Sequence, residues 1–170
     1  MMGAGKSTVG RALARQLGCA FYDMDHMIES ATGVSISTIF EIEGEIGFRK
    51  RETQTLMNFD ETESYVLATG GGVVLSAENR KALRGLGQVV YLRANWKDLY
   101  ERTSLDKNRP LLQAADPKEI IRELLQQRAP LYEEVAHVIV DTDHQPVQVI
   151  VEQVCRALGI QFLGNLPHEK

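Results

Sequence analysis

The start of the chain carries the residues with the clearest chemical meaning. The run Gly3-Ala4-Gly5-Lys6-Ser7-Thr8 leads directly into a helical pattern. Glycines let successive backbone N–H groups curl around phosphate oxygens, and a helix start adds its free N–H groups and positive dipole end. Lys6 is then placed to reach the β- and γ-phosphates of a nucleotide, and the Ser7 hydroxyl to bind Mg²⁺. The alternative is a glycine-rich helix cap.

This run matches only the second half of the phosphate-loop pattern G-x-x-x-x-G-K-[ST]. The first glycine of the pattern would stand one place before Met1, and the strand that feeds the loop would stand before that glycine. We therefore interpret the sequence as truncated at its N-terminus. Because the missing strand is usually central in the sheet, we expect its two neighbours to have unpaired edges.

Two aspartates follow the next apolar segment. Asp23 and Asp25 fall at the carboxyl end of a predicted strand, where parallel sheets bind ligands. Alternation along the strand would place both on one side. One carboxylate would then lie near the water shell of a metal, and the other would accept a proton from a substrate hydroxyl. The alternative is that Asp25 caps a helix beginning at His26.

An arginine and a glycine run are further candidates for substrate binding. Arg49 and Glu52 are three residues apart on a predicted helix, so they share a face and can pair. A fixed guanidinium offers a carboxylate two parallel donors. Gly70, Gly71 and Gly72 follow a buried strand and would let backbone N–H groups approach a phosphate or substrate. A solvated helix face and a plain loop are the alternatives.

Apolar segments with β-branched residues alternate with helical patterns, which predicts an α/β fold with a parallel sheet. The predicted strands are Ala20–Met24, Ser64–Thr69, Gln88–Arg93 and His137–Asp141. The predicted helices are Ser7–Leu17, Ser35–Glu43, Glu45–Phe59, Ala77–Leu86, Trp96–Thr103, Pro117–Val135 and Val147–Leu158, with Gly44 separating the second from the third. We predict one domain over residues 1–160, with a polar lid loop at about 104–115, and a loosely held tail over residues 161–170.

Composition restricts the partners. The net charge of −4 does not favour nucleic acid, and aromatic residues are not interleaved with basic ones. The apolar runs are no longer than strands, which predicts no membrane span. Cys19 and Cys155 lack the spacing of metal ligands, so we expect reduced thiols and a cytoplasmic protein. We expect small-molecule partners and a monomer.

Six segments taken in series resemble the shikimate kinase family. They are Gly3–Thr8, Asp23–Asp25, Phe48–Glu52, Gly70–Gly72, Arg109–Leu112 and Arg128–Tyr132, and the resemblance extends from Gly3 to about Leu158. It implies a three-layer phosphate-loop kinase fold of the nucleoside-monophosphate-kinase type. It also implies Mg²⁺-dependent transfer of a phosphoryl group from ATP to shikimate. The product would be shikimate 3-phosphate, on the route to chorismate and the aromatic amino acids.

The same resemblance assigns roles near the reacting phosphate. Lys6 would hold the phosphates and stabilise charge in the transition state, while Ser7 would bind Mg²⁺. Asp23 would organise the water molecules of the metal, and Asp25 would contact the reacting hydroxyl as the catalytic base. Arg109 resembles the lid arginine that closes over the transferring phosphate.

The resemblance also assigns residues to the two substrates. Arg49 and Arg128 would clamp the carboxylate of shikimate, and Gly70–Gly72 would supply backbone donors. Arg102 and the loop Asp141–Pro146, including Pro146 itself, are similar to the elements that bind adenine. Two alternatives remain: another small-metabolite kinase of the gluconate type, which would share the phosphate loop and lid, and a catalytically inert nucleotide-binding domain.

Overall fold

A computed structural model describes residues 1–60, 62–104 and 116–162. Most of the predicted lid loop and of the predicted tail therefore lies outside the described residues. Helices alternate with short strands along the chain, as expected for an α/β protein. Within the described ranges, every helix falls short of the length and apolar character that a membrane span requires.

The predicted helices and strands lie close to their predicted positions, but the helix Met24–Thr32 was not among them. The helices are α1 (Lys6–Leu17), α2 (Met24–Thr32), α3 (Ile36–Met57), α4 (Ala77–Leu86), α5 (Trp96–Thr103), α6 (Pro117–Val135) and α7 (Val147–Ala157). The strands are β1 (Ala20–Asp23), β2 (Tyr65–Ala68), β3 (Val90–Arg93) and β4 (Val138–Asp141), and a 3₁₀ turn spans Val73–Leu75. Gly44, with φ 68° and ψ −177°, interrupts the helical backbone of α3, which confirms the predicted break.

The strands form two separate parallel pairs. Strand β1 pairs with β2, with Ala20 opposite Tyr65, and β3 pairs with β4, with Val90 opposite Val138. No ladder joins β2 to β3 in the described part of the chain. Within the described residues, β2 and β3 therefore each keep one edge without a strand partner, as expected, and the four strands do not form one continuous sheet.

An apolar cavity of about 500 Å³ is lined by residues of both strand pairs. Val66 of β2 and Leu92 of β3 line it, together with Leu13 of α1 and Val154 of α7. A cavity of this size in a core forfeits van der Waals contacts on every wall. One end of the cavity reaches the residues described below, since Lys6, Gly70, Gly71 and Tyr132 also line it.

The main core gathers side chains from α1, the strands, α5, α6 and α7. Helix α1 is amphipathic because Val9 and Leu13 recur at helical spacing and face this core. A second, smaller core of Ile28, Ile39 and Phe48 holds α2 against α3. Helix α3, which carries Arg49 and Glu52, also contributes Leu56 to the main core, so it is packed in both cores.

Two boundaries differ from the sequence prediction at Asp23 and Asp25. Strand β1 ends at Asp23, and α2 begins at Met24, so Asp25 lies in the first turn of a helix rather than on the strand. Asp23 is the N-cap, since its Oδ1 accepts a hydrogen bond from the Asp25 N–H at 3.1 Å. The alternative in which Asp25 caps a helix starting at His26 is wrong.

Candidate active site

The phosphate loop has the backbone geometry that its glycines predict. Gly3 and Gly5 have φ values of 72° and 84°, in the left-handed region that glycine adopts without a Cβ penalty. A Cβ on Gly3 would also lie 2.8 Å from the side chain of Thr103. Lys6 Nζ donates a hydrogen bond to the Met1 carbonyl at 2.8 Å, so the lysine folds back over the loop.

The remaining residues of this run are also placed beside the loop. Ala4 is buried, and Thr8 is exposed in the first turns of α1. The first N–H groups of α1 follow Gly5, which is the N-cap and has no side chain to cover them. The arrangement leaves an anion-binding helix start next to a lysine.

Ser7 and Asp23, the two predicted metal residues, are in direct contact. The Ser7 hydroxyl donates to Asp23 Oδ2 at 2.6 Å. Both groups offer hard oxygen atoms, which is the donor set that Mg²⁺ prefers when nucleotide phosphates supply the other ligands. Among the described residues, no three His, Cys, Asp or Glu side chains gather into an all-protein metal cluster. The donor set therefore fits Mg²⁺ held jointly with a phosphate ligand.

Asp25 faces the glycine run from the first turn of α2. A Cβ on Gly70 would lie 3.3 Å from Asp25 Oδ1 and 2.5 Å from Glu52 Oε1. The absence of a side chain at Gly70 is thus a packing requirement, and it brings Asp25 and Glu52 to the same point. Asp25 itself is exposed.

Arg49 is held by two carboxylates of its own helix. Its Nη1 donates to Glu52 Oε2 at 2.9 Å, and its Nε and Nη2 donate to Glu45 Oε1 at 3.3 and 3.1 Å. The pairing with Glu52 was predicted from the sequence. The Arg49 guanidinium also packs so closely on Gly72 that any Cβ there would collide with it. The arginine is therefore fixed in one orientation against the glycine run.

Glu52 is a buried carboxylate at the centre of this arrangement. It is 1% exposed, and burial raises its pKa, although Arg49 and Arg128 act in the opposite direction. Glu52 Oε1 has no hydrogen-bond partner within the described residues. A buried polar atom left unpaired costs free energy, so its position beside Gly70 and Asp25 marks a place where a polar ligand would be stabilised.

Helix α6 also contributes to this site, through Arg128 and Tyr132. Arg128 is 5% exposed, and its positive charge acts to lower the pKa of Tyr132. The Tyr132 hydroxyl donates to the Gly71 carbonyl at 2.6 Å. Burial, together with the charges of Lys6 and Arg128, lowers the pKa of the Met1 amino group well below its usual value.

Replacing Tyr132 with phenylalanine is expected to lower the free energy of unfolding at pH 8 by about 1–2 kcal/mol, because the Gly71 carbonyl loses its donor. Burial raises the pKa of Tyr132 to about 12 from 10.0. Its contribution to stability is therefore complete below pH 10 and is lost as the pH rises toward 12. Urea unfolding at pH 8 and pH 11 would measure both effects. Tyr100→Phe is the control, and an unchanged stability of Tyr132→Phe at pH 8 would contradict this prediction.

The candidate adenine elements also meet. Arg102 Nη2 donates to the Thr142 carbonyl at 2.9 Å, and Arg102 Nη1 lies 3.4 Å from the Gly3 carbonyl. Arg102 therefore connects the phosphate loop with the loop that follows β4. Pro146 is exposed at the end of that loop, as the N-cap of α7.

Not every site residue could be placed or foreseen. Arg109 lies outside the described residues. The support that Glu45 gives to Arg49 was missed, although the i, i+4 spacing would have signalled it. The Tyr132–Gly71 contact was also missed, and no local pattern could have found it, since the two residues are 61 positions apart.

Three features define the class of protein: the parallel α/β fold, the glycine-rich loop ahead of α1, and the contact between Ser7 and Asp23. The class is a phosphate-loop kinase of the nucleoside-monophosphate-kinase type. The family model for shikimate kinase matches residues 2–159. The chain belongs to the shikimate kinase family.

Individual members of this family are similar to the chain over most of its length. A shikimate kinase of Nitrosococcus oceani is 54% identical over 169 residues, which cover 99% of this chain and 88% of the relative. One from Bordetella pertussis is 53% identical over 154 residues, covering 91% of this chain and 73% of the relative. A solved structure of the Acinetobacter baumannii enzyme in complex with shikimate has a TM-score of 0.89 and 47% identity, covering 92% of this chain and 88% of that one.

Proposed function

We propose that this protein transfers the γ-phosphoryl group of ATP to a hydroxyl of shikimate, giving ADP and shikimate 3-phosphate. The observation that carries the proposal is the fixed guanidinium of Arg49, which lies against Gly72 between Glu45 and Glu52. A guanidinium held in this way presents paired donors to a small carboxylate. The relative from Acinetobacter baumannii, which is crystallised with shikimate, supports the choice of acid.

The phosphate end of the reaction belongs to the loop before α1. The N–H groups of the loop and of the helix start bind phosphate oxygens, and Lys6 offsets their negative charge. Ser7 would hold Mg²⁺ directly, and Asp23 would hold it through water. When bound, Mg²⁺ neutralises charge on the phosphates. Arg109, from the lid, contributes a further positive charge to the transferring phosphate.

Asp25 acts on the acceptor hydroxyl. Its position beside Gly70 places a carboxylate at the glycine run, where it accepts the proton as the hydroxyl attacks phosphorus. Most of the rate enhancement in such a transfer comes from positioning and from charge neutralisation. Asp25 therefore orients the hydroxyl as well as taking its proton.

The acid is held from two helices. Arg49 of α3 and Arg128 of α6 bind its carboxylate, and the backbone of Gly70–Gly72 donates to its other oxygens. Because Tyr132 fixes the Gly71 carbonyl, the neighbouring N–H groups keep one orientation. Two arginines from separate helices favour a ligand that carries a negative charge.

Arg102 and the loop through Pro146 receive the adenine of ATP. The proposed lid consists of residues 104–115, and its closure excludes water from the site and limits ATP hydrolysis. We place the reaction in the cytoplasm and the protein as a monomer. The two free cysteines, Cys19 and Cys155, support a reducing compartment.

The direct test is release of ADP from ATP and Mg²⁺ in the presence of shikimate, with gluconate as the control acid. We expect ADP release that depends on shikimate and not on gluconate. Turnover with gluconate alone would overturn the role given to Arg49. Isothermal titration with ATP and Mg²⁺ separates an inactive scaffold, which would give no heat of binding, from a kinase with another acceptor.

A further inference from the structure

Asp98 is a buried carboxylate on α5 that no step of the reaction uses. It lies in the first turn of the helix and is 4% exposed. A buried carboxylate is retained at little cost only when cations and N–H groups surround it. The groups around Asp98 come from its own helix and from the loop after β4.

Three contacts converge on the Asp98 carboxylate. Its Oδ2 accepts a hydrogen bond from the His144 N–H at 3.3 Å and lies 3.6 Å from Arg102 Nη2. Its Oδ1 lies 3.3 Å from His144 Nε2. One carboxylate thus binds both the guanidinium of Arg102 and the backbone of the loop that Arg102 itself contacts.

His144 has an unusual backbone conformation. Its φ of 52° makes it the only non-glycine residue in the left-handed region within the described parts of the chain. Such a conformation persists when the surroundings impose it. Asp98 holds both the N–H and the imidazole of His144, while the side chain is otherwise 80% exposed. The loop is therefore held in this conformation from the side of α5.

Neighbouring contacts extend the same connection. Asp143 Oδ1 accepts a hydrogen bond from the Asn95 N–H at 2.9 Å, at the N-cap of α5. Thr142 is fully buried and donates to the Arg93 carbonyl. The loop after β4 is therefore attached to β3 and to α5 at consecutive residues, and the Asp98 carboxylate contacts both this loop and Arg102.

We propose that Asp98 is a positioning residue for nucleotide binding: it fixes Arg102 and the Thr142–Pro146 loop in the arrangement that receives the purine of ATP. The inference rests on the proposed function, because it assumes that Arg102 and this loop bind the nucleotide. Asp98 itself need not touch ATP. Its effect passes through the guanidinium of Arg102 and the backbone at His144.

The test is the variant Asp98→Asn, which keeps the shape of the side chain and removes its charge. We expect KM for ATP to rise about tenfold, as for a lost charge-assisted hydrogen bond, with kcat and KM for shikimate within twofold of the parent. Glu101→Gln, a neutralised carboxylate on the same helix, is the matched control and should leave all three values unchanged. Equal changes in the two KM values would overturn the proposal.

A second variant covers the case in which Asp98→Asn fails to fold. His144→Gly preserves the positive φ, removes only an exposed imidazole and is expected to raise KM for ATP about threefold. In the double variant the two effects should be less than multiplicative, because both remove one contact. No change in KM for ATP in His144→Gly, or fully multiplicative effects, would contradict the proposal.

The test of the role of Asp98 can be separated from the test of the proposed reaction. Shikimate-dependent ADP release by the parent protein tests the reaction, whatever the variants do. If the parent binds ATP without turnover, titration calorimetry with ATP and Mg²⁺ on the same variants still tests Asp98. The expected result there is a tenfold weaker Kd for Asp98→Asn and an unchanged Kd for Glu101→Gln.

Discussion

Replacing Asp25 with asparagine is expected to lower kcat for shikimate phosphorylation by about 10²–10⁴-fold, because the amide cannot accept the proton of the attacking hydroxyl. KM for shikimate should change much less, since the amide still hydrogen-bonds a hydroxyl. The fold should remain intact, because Asp25 is exposed and the N–H that it donates to Asp23 belongs to the backbone. Steady-state ADP release and thermal unfolding measure the two effects.

Asp60→Asn provides the control for this substitution. Asp60 is an exposed aspartate between α3 and β2, distant in sequence from the phosphate loop, and its replacement should leave kcat unchanged. Normal turnover in Asp25→Asn would remove Asp25 from the mechanism. If the fall in kcat is accompanied by a clearly lower unfolding temperature, Asp25 has a structural role instead.

Replacing Arg49 with lysine is expected to raise KM for shikimate by about 10- to 100-fold while KM for ATP stays within twofold. Lysine keeps the charge, but it cannot bind Glu45, Glu52 and a carboxylate ligand at once as the planar guanidinium does. Loss of one charge-assisted hydrogen bond, worth about 1.5–3 kcal/mol, gives a change of this order. Steady-state kinetics with each substrate varied in turn measures the separation.

The chain offers a closely matched control for Arg49→Lys. Arg51 lies two residues further along the same helix and donates from Nε to Glu43 Oε2 at 2.8 Å, at the surface. An exposed ion pair contributes little, so Arg51→Lys should change neither KM. An equal effect of Arg49→Lys on ATP and shikimate would count against a carboxylate clamp and in favour of a general disturbance of α3.

Local features of the fold followed from the sequence with few errors. The phosphate loop, the break at Gly44 and the Arg49–Glu52 pair each depend on residues within a few positions of one another. The backbone freedom of glycine and the helical repeat determine such features almost alone. The error at Asp25 was also local: the pattern continued the strand through Met24, but capping by Asp23 ends the strand and begins α2 at Met24.

Contacts between distant segments were decided by tertiary packing. Tyr132 contacts Gly71, which is 61 residues away in the sequence, and Asp98 contacts His144, which is 46 residues away. The spacing of apolar residues does not predict which helix face will lie against which loop, because this contact depends on how all the layers pack together. By itself, the sequence determined the chemical groups at the start of α1 and on α3. Only the tertiary structure brought α6 to the glycine run and α5 to the loop after β4, because burial of apolar faces, rather than local backbone preference, sets those distances.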